Sequence, residues 1–162
     1  MKKLREIMRP DFLFSVKLDT RVIDAARLMA EKNIGIVAVL DGPVGAASAI
    51  KMAYGGWNKG QQALLLAIRA LAAHEGVDAA LLAEWSRSMP DVPARSERAV
   101  EANIKKAWRF VGEMEENAAA FEAAGLPAGF HEAAGEIYRR LAGWKDTATP
   151  PSMADVAKTL AP

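Results

Sequence analysis

Hydrophobic and polar positions divide the chain into two stretches with different periodicity. In the first 42 residues, residues 12–16 and 34–40 are mainly apolar runs of the kind found in short strands. Between these runs, apolar residues recur every three or four positions, as in an amphipathic helix: Val22, Ala25, Ala26 and Met29. The turn signal Asp41-Gly42 follows. The first stretch therefore predicts a short β-α-β segment.

From Gly45 onward the pattern is helical and rich in alanine. Residues 46–74 are consistent with one long helix that has its weak point at Gly55-Gly56, and residues 62–73 are apolar almost all round, which predicts burial on most sides. Such a helix would be about 45 Å long, whereas a compact chain of this size is roughly 40 Å across. Either the helix breaks at the two glycines or a second copy covers it. We favour the second copy, and hence a homodimer.

Turn and capping residues predict the remaining elements. Gly76 is expected to end the long helix, Asp78 to cap a helix over residues 79–88, and Pro90 and Pro93 to bracket a loop. Further helices are predicted over residues 94–124 and 130–141, and Ser152 is expected to cap a last helix that ends near residue 160. The predicted fold class is therefore mainly α, a bundle of long helices preceded by a short β-α-β segment. The predicted domains are residues 1–42 and 43–162.

Composition excludes several classes of function. The 162 residues contain 21 Lys+Arg and 20 Asp+Glu, so the net charge of +1 gives no general attraction to nucleic acid. The lack of cysteine excludes disulfides and thiolate metal sites, and two histidines make a multi-histidine metal site improbable. No apolar run has the length of a membrane span, and the basic N-terminus has no apolar h-region of a signal peptide. We expect a cytoplasmic protein that binds neither nucleic acid nor membrane.

Residues 42–51 are the first candidate site, because a loop rich in small residues leads there into a helix. Backbone amides at such a helix start could bind a small-molecule anion near Gly45 to Lys51, although on spacing alone close packing is the commoner explanation. Lys51 lies among apolar residues, where a desolvated amine could act as a general base; a lysine that extends its amine to the surface is the more frequent alternative.

The histidines and tryptophans have less specific interpretations. For His74 and His131 a surface or capping role is favoured over catalysis. The four tryptophans are interpreted as core or interface residues. Neither G-x-G-x-x-G nor G-x-x-x-x-G-K-[ST] occurs in the chain.

Three stretches resemble the helical C-terminal domain of proteins related to 6-phosphogluconate dehydrogenase, in the β-hydroxyacid dehydrogenase superfamily. They are GPVGAASAIKMAYGGWNKG (residues 42–60), KAWRFVGEMEE (106–116) and GFHEAAGEIYRRLAG (129–143). The resemblance implies a domain that forms the dimer and lines the active site, after a Rossmann domain that is absent from these residues. NAD(P) is thus implied only for the parent family, and we expect no cofactor in this chain.

The same resemblance implies roles for individual residues. Lys51 occupies the position of the superfamily's catalytic lysine and is the candidate catalytic residue. Ser48 and Asn58 are the candidate substrate-binding residues. The chain departs from the family pattern at Gly55, where an asparagine is expected, and at Asn58, where 6-phosphogluconate dehydrogenase has an acid.

The beginning of the chain resembles the first half of a CBS domain. IMRP (residues 7–10) matches the lead-in of that domain, and residues 16–41 match its first strand, helix and second strand. The family's next strand and its ribose-contacting acid do not follow. The chain is therefore interpreted as a chimaera of a CBS-like half module, residues 3–41, and a dehydrogenase-like helical domain.

Three functions are consistent with these resemblances. The favoured one is a non-catalytic helical domain that forms a homodimer and contributes the substrate side of an oxidoreductase, inactive when alone. One alternative is a regulatory CBS-like module that binds an adenine nucleotide. The other is an oxidoreductase that acts on a hydroxyacid with a cofactor site formed in the dimer.

Overall fold

The computed structural model describes residues 15–16, 19–32, 38–39 and 46–161. Its contacts divide the chain into two compact units, Met1–Tyr54 and Gly55–Pro162. The division falls inside one continuous helix, Ala46–His74. The domain boundary predicted at residues 42–43 lies outside the described residues.

The described part of the first unit contains two strand segments and a helix, ahead of the start of Ala46–His74. Strand β1 is Ser15–Val16, helix α1 is Val22–Lys32 and strand β2 is Ala38–Val39. The strands are parallel, with Ser15 opposite Ala38 and Val16 opposite Val39. The predicted strands were longer, and their other residues lie outside the described part of the chain. Beyond these four paired residues, a CBS-like half module is not seen in the part that is described.

Helices make up nearly all of the second unit, which confirms the prediction of a mainly α protein. Helix α2 (Ala46–His74) enters from the first unit, and the helices that follow are α3 (Asp78–Ser88), α4 (Val92–Asn103), α5 (Ala107–Ala123), α6 (Gly129–Leu141) and α7 (Met153–Leu160). Two 3-10 turns, Ile104–Lys106 and Ala142–Trp144, follow α4 and α6. The single long helix predicted over residues 46–74 is confirmed, with no break at Gly55-Gly56.

Two predicted helix termini, at Gly76 and Ser152, are confirmed in chemical detail, and Gly125 ends a further helix in the same way as Gly76. Gly76 follows α2 with φ 72° and Gly125 follows α5 with φ 76°, a left-handed conformation that glycine adopts without steric cost. Ser152 caps α7 by accepting a hydrogen bond from the Asp155 backbone, and the Asp155 carboxylate accepts one from the Ser152 backbone. This reciprocal pair is a capping box.

Two predicted helix starts are wrong. Asp78 is the first residue of α3 rather than its N-cap, because its carboxylate binds Arg69 instead of a backbone amide. Pro93 belongs to the first turn of α4 rather than to a loop, a position where the missing N–H of proline costs no hydrogen bond.

The helix predicted over residues 94–124 is also wrong as one element. It is divided into α4 and α5 by the 3-10 turn Ile104–Lys106. The buried side chain of Asn103 donates to the carbonyl of Ala99, and asparagine is a weak helix former that competes for backbone partners in this way. The apolar seam continues through the turn because Ile104 and Ala107 are both buried.

The core of the second unit is formed by the inner faces of its helices. Leu66 on α2, Met114 on α5, Tyr138 and Leu141 on α6 and Val156 on α7 are all completely buried. The predicted burial of residues 62–73 on most sides is only partly correct, because Leu64 and Leu71 are exposed. Among the described residues, no helix has the length and hydropathy needed to cross a membrane.

Candidate functional site

The predicted catalytic residue and the predicted substrate-binding residues do not all fall in the same unit. Ser48 and Lys51 lie in the first two turns of α2, in the first unit; Ser48 is buried and Lys51 is exposed. Asn58 lies further along α2, in the second unit, and is half-buried. The predicted anion-binding loop, residues 42–45, lies outside the described residues. The desolvation that would turn Lys51 into a general base is not supplied by the described residues of its own unit.

A different cluster forms where α5 and α6 approach the glycines of α2. A Cβ atom on Gly56 would lie 2.8 Å from His131 Nε2 and 3.1 Å from Asn117 Oδ1. A Cβ atom on Gly60 would lie 2.8 Å from the ring of Phe130. Because real Cβ contacts are longer, two glycines four residues apart permit an approach that alanine would prevent. Gly56, which belongs to the predicted weak point of the helix, is therefore a point of close packing.

Two polar side chains are buried at this contact. Asn117 is 3% exposed and His131 is 4% exposed. The Asn117 amide nitrogen donates to the carbonyl of Glu113 at 2.8 Å, one turn earlier on α5. Asn117 Oδ1 and His131 Nδ1 are buried without a hydrogen-bond partner among the described residues. A buried polar atom without a hydrogen bond lowers the stability of the fold, so these two atoms destabilise the core at this point.

Burial determines the protonation of His131. Removal from solvent lowers the pKa of the imidazole, and a hydrogen bond to the Gly56 carbonyl opposes this only in part. The ring of Phe121 lies 4.3 Å from the imidazole, centroid to centroid. A neutral histidine enclosed in this way cannot exchange protons with a substrate in solvent, so its role here is packing. The predicted surface position of His131 is wrong.

A second polar group lies at the edge of the same helix contact. Lys59 Nζ on α2 is 2.9 Å from Glu113 Oε2 on α5, and the Tyr138 hydroxyl on α6 donates to the Lys59 carbonyl at 2.7 Å. Burial, together with the negative charge of Glu113, raises the pKa of Tyr138 above its usual range. The phenol therefore stays protonated and acts as a fixed donor between α6 and α2.

Arg69 forms a third group at the other end of α2. It is 4% exposed, and its guanidinium binds Asp78 with two nitrogens, at 2.5 and 3.0 Å. A third nitrogen donates to Ser96 at 2.8 Å and to Glu97 at 2.9 Å. Burial opposes the charge, but the hydrogen bonds to the two carboxylates outweigh it and raise the pKa of Arg69. This arginine joins α2, α3 and α4.

An apolar stripe runs along the outer face of α2. Trp57, Leu64 and Leu71 are 64%, 46% and 61% exposed and lie seven residues apart. Positions seven apart fall on nearly the same face of a helix. We call Trp57, Leu64 and Leu71 the α2 stripe. Among the described residues, no group of His, Asp or Glu side chains could hold a metal ion.

Sequence reasoning missed most of these features, although two signals were present. The spacing of Gly56 and Gly60 marks a face that permits close helix packing, and the seven-residue spacing of the α2 stripe distinguishes an outer apolar face from the core. Asn117 gave no signal, because one asparagine in a helix is compatible with many positions. Arg69 was visible only as an interruption of an apolar run.

Comparison with known families relates part of this architecture to a described domain. Residues 72–141 match the family model described as Domain of unknown function (DUF1932). This domain is the helical C-terminal domain of 6-phosphogluconate dehydrogenase-like proteins. The DUF1932 match extends from the end of α2 to the end of α6, so it does not include Ser48, Lys51 or Asn58. It gives no support for a CBS-like module. No curated protein matches the chain.

The residues of the chain do not fit the nicotinamide cofactor that the resemblance implies for the parent family. Dinucleotides bind where a glycine-rich turn joins a parallel strand to a helix, and no two glycines of this sequence are separated by a single residue. The parallel pair in the described part of the chain has two residues in each strand. We therefore derive no hydride-transfer step from this structure.

Proposed function

We propose that residues 43–162 serve as the substrate-side and dimerisation domain of a 6-phosphogluconate dehydrogenase-like oxidoreductase, without activity of their own. The observation that carries the proposal is the DUF1932 match over residues 72–141. The helical architecture of the second unit agrees with it. Lys51 remains the candidate catalytic residue by resemblance, with Ser48 and Asn58 as candidate substrate contacts.

The α2 stripe supports the dimerisation part of the proposal. Trp57, Leu64 and Leu71 leave apolar area in water, whereas Leu66 and Ala70, which face inward, are buried. Exposed apolar patches of this kind mark interaction surfaces. The seven-residue repeat is the spacing with which helices pack against each other along a seam, and every copy of the chain carries it. A second copy is therefore the proposed occupant of this surface.

An exposed lysine is compatible with this arrangement. An amine acts as a general base only when its environment disfavours the charged form, and Lys51 is exposed in the single chain. In the proposed oxidoreductase, that environment comes from a second copy or from a cofactor-binding domain that closes over the helix. No observation on the described residues favours the CBS-like alternative or the hydroxyacid oxidoreductase alternative.

The dimer is tested by placing a charge in the middle of the α2 stripe. In Leu64→Glu, two carboxylates would have to be buried in a symmetric interface, a cost of several kcal/mol. We expect the dissociation constant of the dimer to rise by at least about a hundredfold. Light scattering over a range of protein concentrations measures this change. Because Leu64 is 46% exposed in the single chain, the fold itself should survive.

Ala73→Glu is the matched control. Ala73 is exposed on the same helix but lies off the stripe, so the same charge there should leave association unchanged. A wild-type chain that stays monomeric, or a Leu64→Glu chain that dimerises as the wild type does, would contradict the proposed dimer.

A further inference from the structure

The charges around α5 follow an order that does not stabilise the helix. Basic residues precede it or lie in its first turn, and carboxylates occupy its second half; the residues are Lys105, Lys106, Arg109, Glu115, Glu116 and Glu122. The helix macrodipole favours the opposite order, with carboxylates at the start and cations at the end. The helix dipole therefore does not account for the observed order.

Most of these charges have no ion-pair partner in the part of the chain that the structure describes. Among the described residues, Lys106 and Arg109 form no ion pair, and the same holds for Glu116 and Glu122. All four are exposed. The exceptions are Lys105, which donates to the carbonyl of Ala148 at 3.1 Å, and Glu115, which lies 3.0 Å from Arg139. Two sets of opposite charge are thus available to a partner.

Gly112 lies between the basic and the acidic half of this surface. It is exposed, and a Cβ atom placed on it would meet nothing within 4 Å. A glycine inside a helix is less stable than alanine, and no described contact compensates for it. A glycine at such a place permits another backbone to come close. Arg109 and Glu115 lie three residues to either side of it.

A groove beside the acidic half completes the surface. It lies between α5 and α6, has a volume of about 360 Å³, and has a floor of small residues, Ala118, Ala119 and Gly135. Its rim carries carboxylates and one cation: Glu115, Glu122, Glu132 and Arg139. Trp108 is 46% exposed at the basic end of α5, and Lys145 Nζ lies 4.4 Å from its ring centroid. Each chain therefore has an exposed tryptophan with a lysine over its ring, and a groove lined by three carboxylates and one arginine.

We propose that a second copy of the chain docks on this surface, with the two α5 helices crossing antiparallel at Gly112. In that arrangement Arg109 of each copy faces Glu115 and Glu116 of the other. Trp108 approaches the edge of the other copy's groove near Ala119. The contact is isologous, so each interaction occurs twice.

This contact is separate from the α2 stripe and does not depend on it. A chain that uses both surfaces assembles beyond a dimer, and two isologous surfaces can close into a tetramer of dihedral symmetry. Exposed ion pairs are individually weak and are screened by salt. The α5 contact is therefore a weak, salt-sensitive association, in contrast to the apolar α2 stripe.

The test uses the full chain carrying Leu64→Glu, which removes the α2 stripe contact. Sedimentation velocity is measured at low and high concentrations of sodium chloride. We expect a monomer–dimer equilibrium whose dissociation constant rises at least about tenfold as salt shortens the range of the charge attraction. A chain that stays monomeric at low salt, or a dimer insensitive to salt, overturns the proposal.

Two charge variants distinguish this surface from others. Lys106→Glu/Arg109→Glu makes the four charges without an ion pair, at positions 106, 109, 116 and 122, all acidic, and Glu116→Lys/Glu122→Lys makes all four basic. Each variant alone should be monomeric because like charges meet, and an equimolar mixture should form a heterodimer. Failure of the mixture to associate, or association of either variant alone as tightly as the parent chain, overturns the proposal.

Gly112→Gln provides a readout that does not depend on charge. Glutamine is a better helix former than glycine, so the monomer should become more stable to heat, while the side chain blocks the close approach. Unchanged association of this variant contradicts a crossing at Gly112. If Leu64→Glu lowers stability too far, the same series is measured in the wild-type chain, where loss of the α5 contact leaves a dimer in place of a tetramer.

Discussion

At the scale of single residues, the glycines of α2 have a specific structural purpose. Gly55-Gly56 looks like a point of weakness in the sequence, because glycine is the poorest helix former after proline. The helix nevertheless continues without a break, and the glycines let Asn117 and His131 pack directly against its backbone. Sequence reasoning identified the position but not its purpose, since the partners lie more than 60 residues away on α5 and α6.

Alanine substitutions at the two adjacent glycines should have opposite effects. In Gly56→Ala the new Cβ would lie 2.8 Å from His131 Nε2, and both the imidazole and Asn117 are too buried to move away. We expect a loss of about 1–3 kcal/mol in the free energy of unfolding, reduced by the gain in helix propensity. Urea denaturation followed by circular dichroism measures it.

Gly55→Ala is the matched control for that experiment. Its Cβ would lie 3.7 Å from the Asn117 amide nitrogen, an ordinary contact distance. The higher helix propensity of alanine should then stabilise the chain by up to about 1 kcal/mol. Equal effects of the two substitutions would show that the close approach at Gly56 is not rigid.

At the scale of elements, predictions succeeded where local signals were strong and failed where tertiary contacts decided the outcome. The long apolar pattern of α2, the glycine after it and Ser152 before α7 each have a local physical cause, and α2 and the start of α7 were predicted correctly. The helix over residues 94–124 was predicted as one element because its apolar seam is continuous. The spacing of apolar residues cannot detect the 3-10 turn, because the residues of the seam remain buried on both sides of it.

The start of α3 shows how a tertiary contact overrides a local signal. Asp78 has the chemistry of an N-cap, but its carboxylate is used by Arg69, which is buried and needs a counter-charge. Removing one partner of a buried charge is more destabilising than losing an exposed ion pair. The two carboxylates that bind Arg69 should therefore differ in importance.

We predict that Asp78→Asn destabilises the chain more than Glu97→Gln. The Asp78 side chain is 30% exposed and binds the guanidinium through both oxygens, whereas the Glu97 side chain is 53% exposed and makes a single contact. We expect losses of about 1–3 kcal/mol for the first substitution and less than about 1 kcal/mol for the second. Denaturant melts of both variants give the comparison, and the reverse order would contradict it.

At the scale of the whole molecule, fold class could be predicted from the sequence and the candidate site could not. Helical periodicity and helix propensity depend on residues that are close in the sequence, and their contributions add along the chain. A mainly α protein can therefore be predicted from them. A site depends on which distant side chains meet. A surface or capping role was predicted for His131 because it opens a helix with Glu132 beside it, yet its side chain is buried. Lys51, chosen by resemblance, remains a prediction, and the DUF1932 match does not reach it.

The buried imidazole should make the stability of the second unit depend on pH near neutrality. Because burial lowers the pKa of His131 in the folded chain below its unfolded value of about 6.5, the unfolded state binds more protons at pH values between the two. The free energy of unfolding should therefore fall as the pH drops below about 6.5 and level off below the folded pKa. A single proton sets the maximum slope at about 1.4 kcal/mol per pH unit.

Denaturation curves at several pH values between about 5 and 7.5 check this, since that window lies above the range in which aspartate and glutamate normally titrate. His131→Phe keeps an aromatic ring in the core but removes the titrating group, and its stability should vary less with pH than that of the wild type. His74→Gln is the control for the replacement of a histidine, because His74 is exposed at the end of α2 and lies outside the buried cluster. A slope that survives in His131→Phe would assign the pH dependence to another group and would mean that the imidazole, although enclosed, can take up a proton without loss of packing.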